Sequence, residues 1–196
     1  MLYRIAHILR DRMPWLWNTL GVILSCFFGL RYGRRLKRVP LILAQCSDSD
    51  FTFSPLSDAT IPALARMLAS QPDEAFTYFR PHGFTQPALR QLVADRGFLA
   101  YVMMQGNEVV GYCFQRSYFW GKAYRGYITS IEWRRRGINR RMNQCLNAIS
   151  RMLGLRVYGT IAPKNVASMR SAQAAGAVRI IKMLAGGDYY VEYLCS

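Results

Sequence analysis

The chain has 196 residues, with 26 Lys and Arg against 11 Asp and Glu, a formal charge of +15. With 52% hydrophobic and 13% aromatic residues and no low-complexity stretch it can bury a full core, which excludes disordered, collagen-like and coiled-coil organisation. Five scattered cysteines without a CxxC pair, and only His7 and His82, exclude a structural zinc site or a disulfide framework; no metal is expected, and unpaired thiols fit a reducing compartment.

The charge is uneven: residues 1 to 40 hold eight Arg and Lys and one acid. Met1 to Arg12 places Leu2, Ile5, Ala6 and Leu9 on one helical face, the pattern of a surface-lying amphipathic helix. Met13 to Leu30 is an uncharged run between Arg10 and Arg12 on one side and Arg31, Arg34, Arg35, Lys37 and Arg38 on the other. As a helix it spans roughly 27 Å, at the lower edge of a hydrocarbon core, so spanning, re-entrant and in-plane placements stay open beside that of an ordinary core or dimer helix. Trp15, Trp17, Phe27, Phe28 and Tyr32 look like interfacial aromatics, and the basic cluster suits anionic head groups. Residues 1–40 are read as a membrane-associating segment, with everything after Arg31 on the cytoplasmic side of the plasma (inner) membrane.

Beyond it, Leu41 to Cys46 and Phe51 to Ser54 read as strands, and Ile61, Leu64, Ala65 and Leu68 as one face of a helix capped by Ser57 or Asp58. Gln71 to Pro87, rich in proline, is a loop, and Ala88 to Asp95 a short helix. Phe98 to Met104 and Glu108 to Tyr118 flank Gly106-Asn107 as a hairpin. Tyr124 to Glu132 is a strand, Gly137 to Leu153 a helix ending at Gly154, Leu155 to Ile161 a strand and Val166 to Ala175 a helix ending at Gly176. Val178 to Leu184 and Tyr189 to Leu194 close the chain as strands around Gly186-Gly187. The whole is an α/β domain with a mixed, mostly antiparallel sheet flanked by helices, preceded by the hydrophobic helical segment.

Tyr127 to Met142, YITSIEWRRRGINRRM, is a strand, a basic run with a glycine, then a helix. Such a junction binds phosphate, because the first helical turn has unpaired N–H groups at the positive end of the dipole and Gly137 lets an anion approach the backbone. Walker and dinucleotide fingerprints are both missing from it.

From about Phe51 onward the sequence resembles the GCN5-related N-acetyltransferase (GNAT) family. The pyrophosphate loop of that family, R/Q-x-x-G-x-G/A, is matched by Arg134, Gly137 and, at its last position, Asn139. A second signature, Asn followed eleven residues on by Gly, is matched by Asn165 and Gly176. The resemblance implies an acetyl-CoA-dependent N-acetyltransferase domain over 41–196, with acetyl-CoA as co-substrate in a splay of the sheet. It assigns the cofactor to Ile128, Thr129, Ser130 and Ile131 on the strand, to Arg134, Arg135, Arg136, Gly137, Ile138, Asn139 and Arg140 in the loop, and to Asn165 and Ser168 beyond. Where family members often carry a thiolate-protonating Tyr, this chain has Ala172.

For proton transfer the candidates are Glu132 at the strand's end, His82 in the RPHGF loop, and Tyr189 with its neighbour Tyr190. The aromatic and basic loops Gln71 to Pro87 and Tyr118 to Arg125 suit an anionic, ring-bearing acceptor. FWGKAYRGY and GDYYVEY are similar to acetyltransferases of bacterial surface-polysaccharide pathways, which implies an amine acceptor that is a small molecule or lipid-linked, such as an amino-sugar on a nucleotide or polyprenyl phosphate. A protein N-terminus or lysine is the alternative, and a non-catalytic basic membrane or nucleic-acid binder the rival; nucleic acid is not expected as a partner, and homodimerisation stays open.

Overall fold

The computed structural model describes residues 14–195, with side chains from Thr19 onward. The expected helix over Met1 to Arg12 and the side chains of Trp15 and Trp17 lie outside the described residues. The elements are α1 (Pro14–Leu36), α2 (Val39–Cys46), β1 (Thr52–Pro55), α3 (Ile61–Ala69), α4 (Gln86–Val93), β2 (Phe98–Gln105), β3 (Glu108–Ser117), β4 (Lys122–Thr129), α5 (Ile138–Leu153), β5 (Arg156–Ile161), α6 (Val166–Ala175), β6 (Ala177–Met183) and β7 (Tyr189–Leu194), with 3-10 turns at Asp73–Phe76 and Ile131–Trp133.

The strands form one sheet in the order β1-β2-β3-β4-β5-β7-β6. Every neighbouring pair is antiparallel except β4 and β5. The period-two alternation of a strand sends Tyr101 and Met103 of β2 to one face and Phe98, Ala100 and Val102 to the other. The first face is covered by α1, α2, α5 and α6 and the second by α3 and α4, giving two cores on either side of the sheet. Helix α5 packs Ile138, Met142, Cys145, Leu146, Ile149 and Leu153 inward, the i, i+4, i+7 spacing of an amphipathic helix. It runs between two left-handed glycines, Gly137 (φ 76°) and Gly154 (φ 74°).

Two expectations are corrected. Leu41 to Cys46 is not a strand but the body of α2, which carries Pro40 in its first turn and buries Val39, Ile42 and Leu43. A short apolar run has no period that separates strand from helix, and here packing against α5 decides. The Gln71 to Pro87 loop contains a 3-10 turn whose Phe76, together with Phe79, is buried under α3 and α4. Packing runs across residue 40: Phe28 and Tyr32 of α1 are 0% and 2% exposed within the first core.

Further contacts pin the second half of α1. The Arg35 guanidinium donates to the Leu153 carbonyl (2.8 Å), Arg31 to the Phe119 carbonyl (2.7 Å), and the Ser25 hydroxyl accepts from the Arg96 amide (2.8 Å). Among the described residues no helix is long and apolar enough to cross a membrane. A spanning placement of Met13 to Leu30 would also pull Phe28 out of the core. The outward face of α1 is nonetheless apolar, with Val22, Ile23, Phe27 and Leu30 exposed and Arg34 and Lys37 continuing it.

Candidate active site

The parallel pairing of β4 with β5 covers only Lys122 to Tyr124 against Arg156 to Tyr158. Past Tyr124 the two strands part: β5 continues along β7, while the β5-facing edge of β4 has no strand partner from Arg125 to Thr129. The sheet is thus open at its centre, and the opening leads toward the C-terminal end of β4, where the chain turns through Ile131–Trp133 into α5.

That turn is built to receive an anion. Arg135 has φ 62° and Gly137 φ 76°, two left-handed residues separated by one, a backbone that turns successive amides toward a common concavity. Among the described residues the amides of Arg135 through Arg140 have no hydrogen-bond partner, and the next one, Arg141, donates to the Gly137 carbonyl at 3.0 Å. These six N–H groups sit at the positive end of a 16-residue helix. A Cβ at Gly137 would meet nothing within 4 Å, so the space over the turn is open. Arg134, Arg135, Arg136 and Arg140 are exposed with or without ring contacts but with no ion pair among the described residues, and Arg136 lies over the Trp133 ring at 4.6 Å. Arg141 is committed elsewhere: it pairs with Asp48, whose carboxyl it holds below the ordinary aspartate range, and lies over Phe51 at 5.2 Å. Nearby buried polar atoms, Thr129 Oγ1, Asn139 Oδ1 and Asn143 Oδ1, have no partner.

The strand residues differ in what they offer. Thr129 and Ser130 are buried at the end of β4, Ile128 points into the second core, and Ile131 is exposed. The Ile131 amide is not free for a ligand: it donates to Gln71 Oε1 at 2.7 Å, while Gln71 Nε2 donates to the Ser130 hydroxyl at 3.4 Å and to the Met67 carbonyl at 3.1 Å. Gln71, which the sequence marks only as the start of a loop, therefore ties α3 to the end of β4.

On the far wall of the opening Asn165, a residue assigned to the cofactor by resemblance, caps α6, its Oδ1 accepting from the Ser168 amide at 3.1 Å. The Ser168 hydroxyl meets the Tyr127 hydroxyl at 2.9 Å, so β4 and α6 touch across the gap. Ala172, one turn further, is buried in the first core.

Arg125, the first residue past the parting, was not singled out by the sequence. It is 8% exposed, lies over the Tyr193 ring at 3.3 Å and donates to Asn147 Oδ1 at 2.7 Å, while its Nε and Nη2 have no partner. A buried guanidinium without a carboxylate is costly unless something accepts from it. Arginine inside a strand facing a helix was the available signal.

The three proton-transfer candidates are not brought together. Glu132 is exposed in an open groove of about 550 Å³ lined also by Arg66, Met67, Asn107 and Glu108, on the β3 side of β4. His82 is half-buried among Phe84, Phe98, Tyr112 and Phe114, with Nε2 at 3.0 Å from the Tyr112 hydroxyl, and burial together with the Arg116 charge lowers its pKa against the opposing bond to the Gly83 carbonyl. Tyr189 packs on the first core beside β5, whereas Tyr190 faces the opposite side of the sheet, its hydroxyl 3.3 Å from that of Tyr124. Among the described residues no cluster of His, Cys, Asp and Glu could hold a metal ion.

A mixed sheet that parts between two parallel central strands, with an anion cradle where the first strand feeds a helix, defines an α/β class with an open central sheet. More particularly, the chain has the fold of the GCN5-related N-acetyltransferases. No protein-family model and no curated protein matches the sequence. Solved structures do match the fold. The GNAT domain of S. lividans PAT superposes with a TM-score of 0.64 at 13% identity, covering 73% of this chain and 89% of that one. The putative acetyltransferase yncA from Salmonella typhimurium, solved with its cofactor acetyl-CoA, gives 0.57 at 16% identity over 75% and 95%. The aminoglycoside acetyltransferase AAC(6')-Ib, solved with coenzyme A and kanamycin, gives 0.55 at 14% over 72% and 93%.

Proposed function

We propose that this protein transfers an acetyl group from acetyl-CoA to an amine on a small-molecule acceptor, an amino-sugar carried on a nucleotide or lipid phosphate, at an anionic membrane surface. The observation that carries the transfer reading is the run of six unpartnered amides from Arg135 to Arg140, opening beside an unpaired strand edge. Coenzyme-bound neighbours of the same fold support it.

In this reading Arg135 to Arg140 hold the diphosphate through N–H donors, with Arg134, Arg136 and Arg140 adding charge. The free edge of β4 and the hydroxyls of Tyr127 and Thr129 line the arm, and Ser168 fixes the Tyr127 phenol. Acetyl-CoA held there would supply an activated thioester, the C–S bond breaking as the neutral amine forms its C–N bond and the amine's proton leaving, directly or through water, to give CoA as the thiol. The chain's part is mainly positioning, exclusion of water and donation of hydrogen bonds where negative charge develops. In this reading buried Arg125, whose Nε and Nη2 have no partner among the described residues, is a further donor for that charge.

The membrane reading rests on the outward face of α1, where Leu30 is 80% and Val22 63% exposed beside Arg34 and Lys37. Such a face lies in an interface rather than across it. A second acceptor class, a protein lysine or N-terminus, is favoured by one feature, the groove where Glu108 and Glu132 present two carboxylates. Acetyl-CoA titration by thermal shift, followed by amine-dependent release of CoA, tests the transfer reading; a folded protein that acetyl-CoA does not stabilise would overturn it.

A further inference from the structure

Helices α3 and α4 cover only the β1 to β3 half of their face of the sheet. On the remaining half, three strands each contribute a tyrosine to one cluster, in which Tyr124 is 41% exposed, Tyr190 is half-buried and Tyr158, 4% exposed, is the support behind them. Tyr158 of β5 stacks on Tyr190 of β7 with ring centroids 5.5 Å apart at 9°, and Tyr124 of β4 lies 5.9 Å from Tyr158 and 6.5 Å from Tyr190. The floor extends through Tyr118, edge-on to Tyr124 at 6.2 Å and stacked on Trp120 at 4.6 Å.

Tyr124 and Tyr158 are the last residues paired before β4 and β5 part, so this floor lies at the inner end of the opening. An amine reaching that end from the face opposite α5 and α6 has to cross it. One flank is closed by the Gln71 to Pro87 loop, whose Phe79 would touch a Cβ at Gly126 and whose His82 packs on Phe114.

The rim is basic. Lys122 Nζ lies 5.9 Å from the Tyr158 ring and has no ion-pair partner among the described residues. Arg156 and Arg179 both bond the buried Glu192 carboxylate. Burial alone would raise the pKa of that carboxyl, but the two guanidinium hydrogen bonds outweigh it and hold the pKa below the ordinary glutamate range. Two arginines around one carboxylate, with Lys122 beside them, leave the rim with a positive excess.

The exposed Tyr124 ring, with the Tyr124 and Tyr190 hydroxyls paired beside it, matches a flat ring that has apolar C–H faces and polar edges. Ring faces also attract an ammonium, which is the state of the amine before transfer. The excess rim charge calls for an anion on the same molecule. Resting on the acetyl-transfer reading above, we infer that Tyr124 and Tyr190, backed by the buried Tyr158, form the acceptor floor, taking the pyranose ring of an amino-sugar whose phosphate substituent is held by Lys122 and Arg156.

The test is calorimetric binding of glucosamine 1-phosphate, with glucosamine as the control that lacks the phosphate, to the full chain without acetyl-CoA. The phosphorylated sugar is expected to bind at least about tenfold more tightly, the scale of one charge-assisted hydrogen bond. Lys122→Gln should erase that preference and leave glucosamine unchanged. Tyr124→Leu should weaken both sugars, while Tyr124→Phe, which keeps the ring, should bind glucosamine 1-phosphate far better than Tyr124→Leu does. Equal binding of the two sugars by the wild-type chain, or undiminished binding by a folded Tyr124→Leu protein, would overturn the inference. Its failure is separable from that of the transfer reading: acetyl-CoA stabilisation with no Tyr124-dependent sugar binding sinks only the floor, and sugar binding with no acetyl-CoA stabilisation sinks only the transfer.

Discussion

Gly137 tests the anion cradle most directly, because its effects on stability and on binding have different physical origins. Its φ of 76° is strained for an L-residue, yet a Cβ there would meet no atom within 4 Å. Gly137→Ala therefore costs strain alone, about 1–2 kcal/mol, which for a chain of this size lowers the thermal midpoint by roughly 2–8 °C. Gly137→Asn should cost less, since Asn enters the left-handed region more readily. For binding the order is different. Both substitutions put a side chain into the open space beside six amides, and losing one hydrogen bond to a charged group is worth about 1.5–3 kcal/mol, or roughly 10- to 150-fold in affinity. At a concentration one hundred times the wild-type Kd, acetyl-CoA should stabilise the wild-type fold by about 2.7 kcal/mol, and a tenfold weaker variant by only about 1.4 kcal/mol. Thermal shift against acetyl-CoA concentration measures both quantities in one experiment. A folded Gly137→Asn protein with wild-type acetyl-CoA affinity would refute the assignment of the cradle.

The remaining predictions each address another part of the molecule. Phe28→Ala, deleting a fully buried ring of α1, should destabilise the whole fold by about 3–5 kcal/mol in chemical denaturation, because α1 is part of the core. Leu30→Glu should leave the thermal midpoint unchanged and weaken co-sedimentation with anionic phosphatidylserine vesicles by about tenfold, the loss of one buried leucine; unaltered sedimentation would remove α1 from the membrane reading. His82, with its folded pKa below the ordinary 6.5, is favoured neutral by the fold: its contribution is complete above that value and is lost as pH falls through the folded pKa, so the slope of the thermal midpoint between pH 7 and 5 should flatten in His82→Phe. Glu132→Gln should leave turnover near wild type if the acceptor lies on the tyrosine floor, since the five residue steps from Tyr124 to Thr129 alone put about 17 Å between them; a roughly hundredfold fall would place the amine in the Glu132 groove instead.

Elements with a strong local period were legible in the sequence. Helix α5 declares itself through Gly137, the spacing of Ile138, Met142, Cys145, Leu146 and Ile149, and Gly154, and α6 and β7 match their expected limits. The hairpin of β2 and β3 follows from Gly106, whose φ is 55°. Helix α2 was not legible, because a six-residue run after a proline, apolar but for Gln45, satisfies either period and only burial of Val39, Ile42 and Leu43 against α5 selects the helix. The same limit applies to α1. Hydropathy marks Met13 to Leu30 as apolar all round, but which side meets protein depends on Phe28 and Tyr32 reaching the core and Arg35 reaching the end of α5.

Legibility of the site divides along the same line. The cradle is local, one strand end and one helix start, so a run such as RRRGIN exposes it without any knowledge of the rest of the chain. Asn165 shows how a local signal can carry two meanings: Asn with Ser three residues on is the pattern of a helix cap, and the cap is what its side chain makes. The acceptor side is non-local. Tyr124, Tyr158 and Tyr190 come from three strands, and neither Tyr158 nor Tyr190 is within thirty residues of the next; only the order β4-β5-β7 makes them neighbours. A shift of one residue in the β5 and β7 pairing would turn Tyr190 into the core and bring Tyr189 out, exchanging the candidate the sequence favoured for the one the surface uses. Sequence reading could name both tyrosines but had no physical basis for choosing between them, because that choice is made by Val191 and Tyr193, which must face α5 and so fix the alternation along the whole strand.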